Sequence, residues 1–284
     1  MAQVELFART EVGCVRKRNE DHFVVANLAT RELGLQPGAR IQPLGAGGTL
    51  IAVCDGMGGA AAGDLASDIA AATIARSLQE RSPFLDLATA QAAMLAAINA
   101  VNQAIRAAAA GDPMRHGMGT TMTAALATGH ELLIGHVGDS RAYLRRGRAL
   151  TQLTTDHSIV GQLIAAGRLQ PEQARSYEHR NVLLQALGVQ PRVGPEMIVA
   201  QLRAGDVLLL CSDGLTGPLP DDVVLELMLR YEDPVRCCRA LTEAACAAGG
   251  PDNVTVAIAR FTGEGLELPH GREEIAMARV QHAI

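Results

Sequence analysis

The chain has 284 residues, 48% of them hydrophobic, 19% charged and only 2% aromatic, with no Trp and a formal net charge of −5. An acidic balance gives no counterion-release drive toward a phosphate backbone, and so few aromatics exclude a base-stacking platform or a membrane-interface belt. The single lysine, Lys17, lies in Val15-Arg16-Lys17-Arg18-Asn19-Glu20-Asp21, which is neither a P-loop nor the third strand of a kinase, and a pyridoxal-phosphate enzyme would have to build its Schiff base there.

Residues 1–26 read as two short strands around a turn at Gly13, the second being His22–Ala26. Residues 27–48 are rich in Gly and Pro and read as a loop. Thr49–Cys54 is a continuous apolar run, a buried strand that stops at Asp55-Gly56-Met57-Gly58-Gly59. Residues 62–80 and 84–110 carry apolar side chains three and four apart, the period of two helices. From Thr120 the texture becomes a meander of Thr121–Thr128, Glu131–Val137, Ala142–Arg145 and Ala149–Leu153. Residues 158–187 read as mostly helical, Val207–Cys211 as a strand, 220–230 and 234–248 as helices, and Val254–Ala259 as a last strand. Residues 263–284 form a polar tail.

Consecutive hairpins and consecutive helix pairs predict an α+β fold rather than a βαβ repeat. One domain is expected, with two helical layers covering two packed antiparallel sheets. The six cysteines form no CxxC, so a zinc ribbon or thioredoxin motif is not expected, and Cys54 and Cys211 sit in apolar runs as small buried hydrophobes. The first residues show no apolar signal-peptide core and no stretch reaches membrane-span length. The expectation is a reduced, cytoplasmic protein with no membrane or nucleic-acid partner.

Acidic residues recur at strand ends. Asp55 follows one apolar strand and Asp213 another; Asp139 sits in a turn between strands; Asp252 precedes a strand, as do Glu20 and Asp21. One Asp-Gly is ordinarily a turn, and each of these alone reads best that way. Several carboxylates converging at a sheet edge need a polyvalent cation. Oxygen-only ligands suit Mg²⁺ or Mn²⁺, and the eight His contain no HExxH pair that would favour zinc. Gly56-Met57-Gly58-Gly59-Ala60-Ala61 also matches a dinucleotide fingerprint, with Glu80 near the ribose-acid position about 20 residues on. Asp55 would then repel the pyrophosphate, so this oxidoreductase reading ranks below the metal reading.

Arg16-Lys17-Arg18-Asn19-Glu20-Asp21, Asp55-Gly56-Met57-Gly58-Gly59, Gly117-Met118-Gly119-Thr120-Thr121, Gly138-Asp139-Ser140-Arg141, Asp156-His157-Ser158, Cys211-Ser212-Asp213-Gly214 and Gly250-Pro251-Asp252-Asn253-Val254-Thr255-Val256 occur in this order. The set resembles the metal-dependent Ser/Thr protein phosphatases (PPM, or type 2C), most closely the bacterial branch, over residues 5–262. The resemblance implies a four-layer αββα sandwich, with 1–262 the phosphatase domain and 263–284 a tail outside it. It implies two core ions, Mn²⁺ or Mg²⁺. Asp55 would bridge both and Gly56 would lend a carbonyl. Asp213 and Asp252 would complete the second site. Glu20 and Asp21 would act through metal-bound water, with Asp21 orienting the nucleophile, and Asp139 with Asp213 resembles a third-metal site. Arg16 matches the phosphate-binding Arg. A metal-activated water would then hydrolyse phosphoserine or phosphothreonine in line, without a covalent intermediate, on phosphorylated proteins including a bacterial Ser/Thr kinase and its substrates. Met57 stands where animal members carry a proposed general-acid His, and it cannot donate a proton. A second reading stays open, a phosphatase-like regulator without metals, although that class usually lacks the acids present here. Loop 27–48, longer than is usual in the family, is expected either to touch a protein substrate or to be a passive excursion. Residues 158–185 correspond to a flap beside the site.

Overall fold

The computed structural model describes residues 1–34, 40–59, 62–170, 173, 177–179, 181–270 and 274–280. The strands are β1 (Gln3–Glu11), β2 (Asp21–Asn27), β3 (Glu32–Leu33), β4 (Ile41–Pro43), β5 (Thr49–Met57), β6 (Gly119–Thr120), β7 (Met122–Thr128), β8 (Glu131–Val137), β9 (Arg141–Arg146), β10 (Ala149–Gln152), β11 (Glu196–Gln201), β12 (Val207–Cys211), β13 (Val254–Thr262) and β14 (Met277–Val280). The first sheet runs β10-β9-β12-β13-β1-β4 and the second β14-β11-β8-β7-β5-β2-β3, with β6 attached to β5. The strand pairs are antiparallel.

Alternation sets the two faces. In β1, Val4, Leu6 and Ala8 are buried against Val53, Ile134, Leu210 and Phe261 between the sheets, while Phe7, of opposite parity, faces the helical layer outside. On the outer face of the second sheet, α1 (Ala62–Gln79) and α2 (Leu87–Ala110) bury Ile74, Leu78, Ile98 and Val101 against Leu50 and Leu126. Asp86 caps α2 through the Thr89 amide at 2.8 Å, and the Thr89 hydroxyl accepts from the Asp86 amide, a reciprocal capping box. After the short α3 (Ile159–Ala165) and α4 (Asp213–Thr216) come α5 (Asp221–Arg230) and α6 (Pro234–Ala247). These last two pack Val224, Met228 and Leu241 onto Leu209 and Ile258 of the first sheet. The product is the expected αββα sandwich.

Three local expectations change. The segments on either side of Gly13 are not a hairpin: β1 lies in the first sheet and β2 in the second, so residues 12–20 cross between them. The strands after Thr120 are not one meander either. β7 and β8 pair in the second sheet, β9 and β10 in the first, and residues 138–140 make the crossing. Among the described residues of 158–187, helix covers Ile159–Ala165 and Gln173, and bridges tie Ser158 to Leu183 and Thr120 to Leu187. The small polar and glycine residues there do not sustain helical burial.

Loop 27–48 is also placed by register. Asp21 pairs with Asp55 at one end of the β2–β5 ladder, and Asn27 with Thr49 at the other. The loop leaves from the Asn27 end, about 20 Å from the acids at roughly 3.3 Å per residue. Within it β4 extends the first sheet beside Gln3–Glu5, and Arg40 lies 5.7 Å from the Phe7 ring centroid; residues 35–39 fall outside the described set. Beyond residue 262, Leu266 is buried, and β14 pairs with β11 at the edge of the second sheet.

Candidate active site

Antiparallel pairing sends the C-terminal ends of β1, β5, β8 and β12 and the N-terminal ends of β2, β9 and β13 to one edge of the sandwich. The acidic strand-end residues gather there for that reason. Arg16, Asp139, Arg141, Asp156, Asp213 and Asp252 help line an open cavity of about 500 Å³. Glu20, Asp21 and Asp55 do not line it.

Asp21 is 3% exposed. Its Oδ2 accepts hydrogen bonds from the Ser212 and Thr255 hydroxyls, each at 2.7 Å. Those residues belong to the first sheet's β12 end and β13, so Asp21 stitches the two sheets together. Its Oδ1 is buried without a hydrogen-bond partner, and so is Asp213 Oδ1. Burial first, then the neighbouring acids, push the Asp21 carboxyl up to about 7 and Asp139 up to about 8. Asp55 is driven well above the usual range by burial and by Asp21, Asp213 and Asp139. Asp213 is raised by burial and Asp252, against a hydrogen bond from Asp55. Glu20 is raised as well, chiefly by burial. All five are raised because they are buried close together and too little positive charge faces them.

The backbone around the acids is tightly specified. The Asp55 amide donates to Thr121 Oγ1 at 3.1 Å, and the Asp55 carbonyl accepts from the Thr121 amide at 2.9 Å. The Gly56 amide donates to the Glu20 carbonyl at 3.1 Å, and a side chain at Gly56 would collide with the Glu20 and Gly63 carbonyls. The Ser67 hydroxyl on α1 donates to the same Glu20 carbonyl, fixing the start of β2 to the helix.

Arg16, half-exposed on the crossing 12–20, donates from Nη2 to Asp252 Oδ2 at 2.7 Å. The sequence reading places Arg16 on phosphate; the structure adds that it is also the counter-ion of an expected metal ligand. Asn253 organises this crossing, a role the sequence reading did not give it. Its Nδ2 donates to the Val12 and Arg18 carbonyls, both at 2.9 Å, and its Oδ1 accepts from the Glu20 amide at 2.8 Å. Arg141 and Asp156 form a second pair not assigned from sequence, through Nε at 2.9 Å and Nη2 at 2.7 Å. The remaining Arg141 donor reaches Tyr143, whose hydroxyl donates to Asp221.

The donor chemistry fits divalent cations at the aspartates. Two buried carboxylate oxygens lack partners, several acids retain protons that a cation would displace, and all the donors are oxygen. Another cluster, His136, His157 and Glu196, brings its donor atoms within 4.8 Å of one another. Most of those atoms are already engaged. His136 bonds Thr123 Oγ1 at 2.9 Å and the Thr155 carbonyl at 3.2 Å, and its burial pushes it down to about 3. The Gly138 amide donates to His157 Nδ1 at 3.3 Å. Glu196 accepts from the Thr155 amide and hydroxyl and pairs with Arg279. This cluster braces the segment before Asp156 and is not a cation site.

Comparison with known proteins agrees with this geometry. Residues 41–245 match the model of the protein phosphatase 2C family. The serine/threonine protein phosphatase PstP of Mycobacterium tuberculosis is 40% identical over 263 residues, 91% of this chain and 46% of that protein. The chain therefore spans about half the length of that relative. The serine/threonine phosphatase stp of Listeria monocytogenes is 34% identical over 248 residues, 87% of this chain and 92% of its own length. The crystal structure of the PstP catalytic domain with two manganese ions is 37% identical with a TM-score of 0.77, covering 93% of this chain and 100% of that one. No described helix is long and apolar enough to cross a membrane.

Proposed function

We propose that this chain, which belongs to the protein phosphatase 2C family, is a metal-dependent protein-serine/threonine phosphatase. The observation that carries the reading is the pair of buried, unpartnered oxygens on Asp21 and Asp213 inside a cluster of acids that burial and mutual repulsion raise. Asp55, the Gly56 carbonyl, Asp213 and Asp252 would hold two Mn²⁺ or Mg²⁺ ions, with Glu20 and Asp21 in a supporting role. Asp139 with Asp213 would hold a third. When bound at these residues, divalent cations would lower the pKa of water and offset phosphate charge.

The chain's own groups do the rest. Arg16 lines the cavity, and with one nitrogen on Asp252 it keeps further guanidinium donors for phosphate oxygens. Its contact with Asp252 sets the distance between the bound phosphate and the acids. Asn253 holds the Arg16-bearing crossing rigid against β13. Asp21, anchored by Ser212 and Thr255, would use its unpartnered oxygen to orient the attacking water.

The substrates are phosphorylated proteins, a Ser/Thr kinase and its targets among them, and the setting is cytoplasmic. The catalytic residues lie within 1–262, and of the segment beyond, Leu266 joins the core between the sheets and β14 the edge of the second sheet. The test is phosphate release from a phosphothreonine peptide with and without Mn²⁺ after exhaustive chelation. Release should appear only with the added ion. Activity that survives chelation, or that needs zinc, overturns the reading.

A further inference from the structure

Six cysteines are free, and four of them, Cys54, Cys211, Cys237 and Cys238, are at most 1% exposed. The other two meet beside the active site. Cys14 is exposed, and Cys246 lies near the end of α6. The Cys14 thiol donates to the Cys246 carbonyl at 3.5 Å, and the Cys14 amide donates to the Gly250 carbonyl at 2.8 Å. A methyl placed on Gly250 would touch the Cys14 nitrogen at 2.9 Å, the Cys14 sulfur at 3.0 Å and the Cys246 Cα at 3.2 Å. The two residues thus close around one small volume, with the Cys14 sulfur against the Cys246 backbone. The Cys246 thiol is also raised above its ordinary value, by burial and then by the adjacent Cys14, with which it shares a hydrogen bond.

We propose that Cys14 and Cys246 are a disulfide-forming pair, oxidised by a hydroperoxide, that ties the Arg16 crossing to the C-terminal end of α6. An exposed thiol with a second thiol at contact range is the arrangement of attacking and resolving cysteines. The Cys14 thiolate attacks the terminal oxygen of the peroxide. The O–O bond breaks, water or an alcohol leaves, and Cys14 becomes a sulfenic acid. Cys246 then attacks that sulfur, the S–O bond breaks and water leaves. In total the peroxide takes two electrons and two protons from the pair. A thiol reductant reverses the change, as suits a chain expected in a reducing compartment.

The position gives the cross-link a consequence. Arg16 lies two residues after Cys14 and Ala248 two residues after Cys246, and both line the 500 Å³ cavity. Arg16 holds Asp252 through one nitrogen, and its remaining donors must align with the phosphate oxygens. A covalent tie two residues away restricts that alignment. Oxidation therefore raises KM more than it lowers kcat.

The full-length chain is treated with hydrogen peroxide, its remaining thiols are alkylated, and its peptides are mapped by mass without reduction. A cross-linked Cys14–Cys246 peptide, lighter by two hydrogens and lost on adding dithiothreitol, is the expected result. With p-nitrophenyl phosphate, oxidised protein should show a KM raised about threefold or more, restored by reductant. Cys246→Ser and Cys246→Ala should show no reversible change. Recovery of Cys14 only as sulfinic acid or in an intermolecular dimer overturns the pair. A cross-link without a change in KM overturns its coupling to Arg16. The kinetic arm rests on the phosphatase reading, whereas the peptide map is read without activity and separates the two failures.

Discussion

Asp21 and Asp55 stand directly opposite one another across the β2–β5 ladder at the edge of the second sheet, Asp21 buried and Asp55 half-buried. Like charges in that relation repel, and burial adds a desolvation cost to each. Asp213, Asp139 and Asp252 raise the charge density further. Arg16 and Arg141 are the cations lining the cavity, and each is already paired with an aspartate, Asp252 and Asp156 respectively. The fold therefore retains protons where a divalent cation would otherwise neutralise the cluster.

Asp55→Asn and Asp213→Asn should each lower turnover at saturating Mn²⁺ by on the order of a thousandfold, because the charge stabilisation lost is several kcal/mol. The metal-free variants should melt at or above the wild-type temperature, since each removes one member of a repelling set. Phosphate release and thermal melts in chelator check both halves. Near-normal turnover in either variant would remove that residue from the centre.

The raised carboxyls also set a pH dependence for the metal-free protein. Asp21 and Asp139 titrate near 7 and 8 in the fold, against 3.8 when unperturbed. Below pH 3.8 both states are protonated and no penalty exists. Between 3.8 and 8 the unfolded chain has lost protons that the fold keeps, so stability falls as pH rises, by about 1.4 kcal/mol per pH unit for each retained proton. Above 8 the slope from these groups ends. Melts from pH 4 to 8 should show this decline in chelator and a much flatter profile in Mn²⁺. Parallel profiles in the two conditions would falsify the assignment of these acids to a cation site.

Much of this was legible in the sequence, because apolar runs ending in acids are a local signal. Thr49–Cys54 with Asp55 and Val207–Cys211 with Asp213 needed no tertiary knowledge. Which sheet each strand joins was not legible. The crossings at 12–20 and 138–140 look like hairpin turns locally, and only the packing of two faces separates the strands. β11 carries an apolar run, Met197-Ile198-Val199-Ala200, of the same texture as β12. β14, by contrast, is a mostly exposed edge strand paired only through its backbone, so its side chains announce nothing. Asn253 was hidden for another reason. Its contacts run to residues more than 230 positions away in the chain, and an Asn beside Asp reads locally as a turn.

Arg16→Ala should lower kcat/KM by roughly ten- to thirtyfold, the worth of a half-exposed charge-assisted contact of about 1.5–2 kcal/mol. Lys should restore only part of it, lacking the fork of donors. Because Arg16 also occupies Asp252, Arg16→Ala should reach half-maximal rate at a lower Mn²⁺ concentration than wild type. A metal titration at fixed substrate reads this directly. An unchanged kcat/KM would take Arg16 off the phosphate, and an increased metal requirement would mean its pairing supports the metal ligand instead of competing for it.

The placement of loop 27–48 decides between the two roles open to it. A substrate-touching loop must reach the phosphate pocket, but this one departs from the Asn27–Thr49 end of the ladder, about six residues or 20 Å from Asp21 and Asp55. Its described part is fastened locally. β3 pairs with β2, β4 pairs with the start of β1, and Arg40 stacks on Phe7. Each of these anchors holds it on the far edge of the sandwich. Shortening the chain between Leu33 and Ile41 should therefore leave kcat/KM within about twofold on both p-nitrophenyl phosphate and a phosphorylated kinase, because loop closure entropy changes slowly with length and the pocket is untouched. The melting temperature should change little so long as β4 remains paired. A loss confined to the phosphorylated kinase would instead show that a protein substrate wraps the sandwich from the pocket to this edge, and would restore the loop to substrate selection.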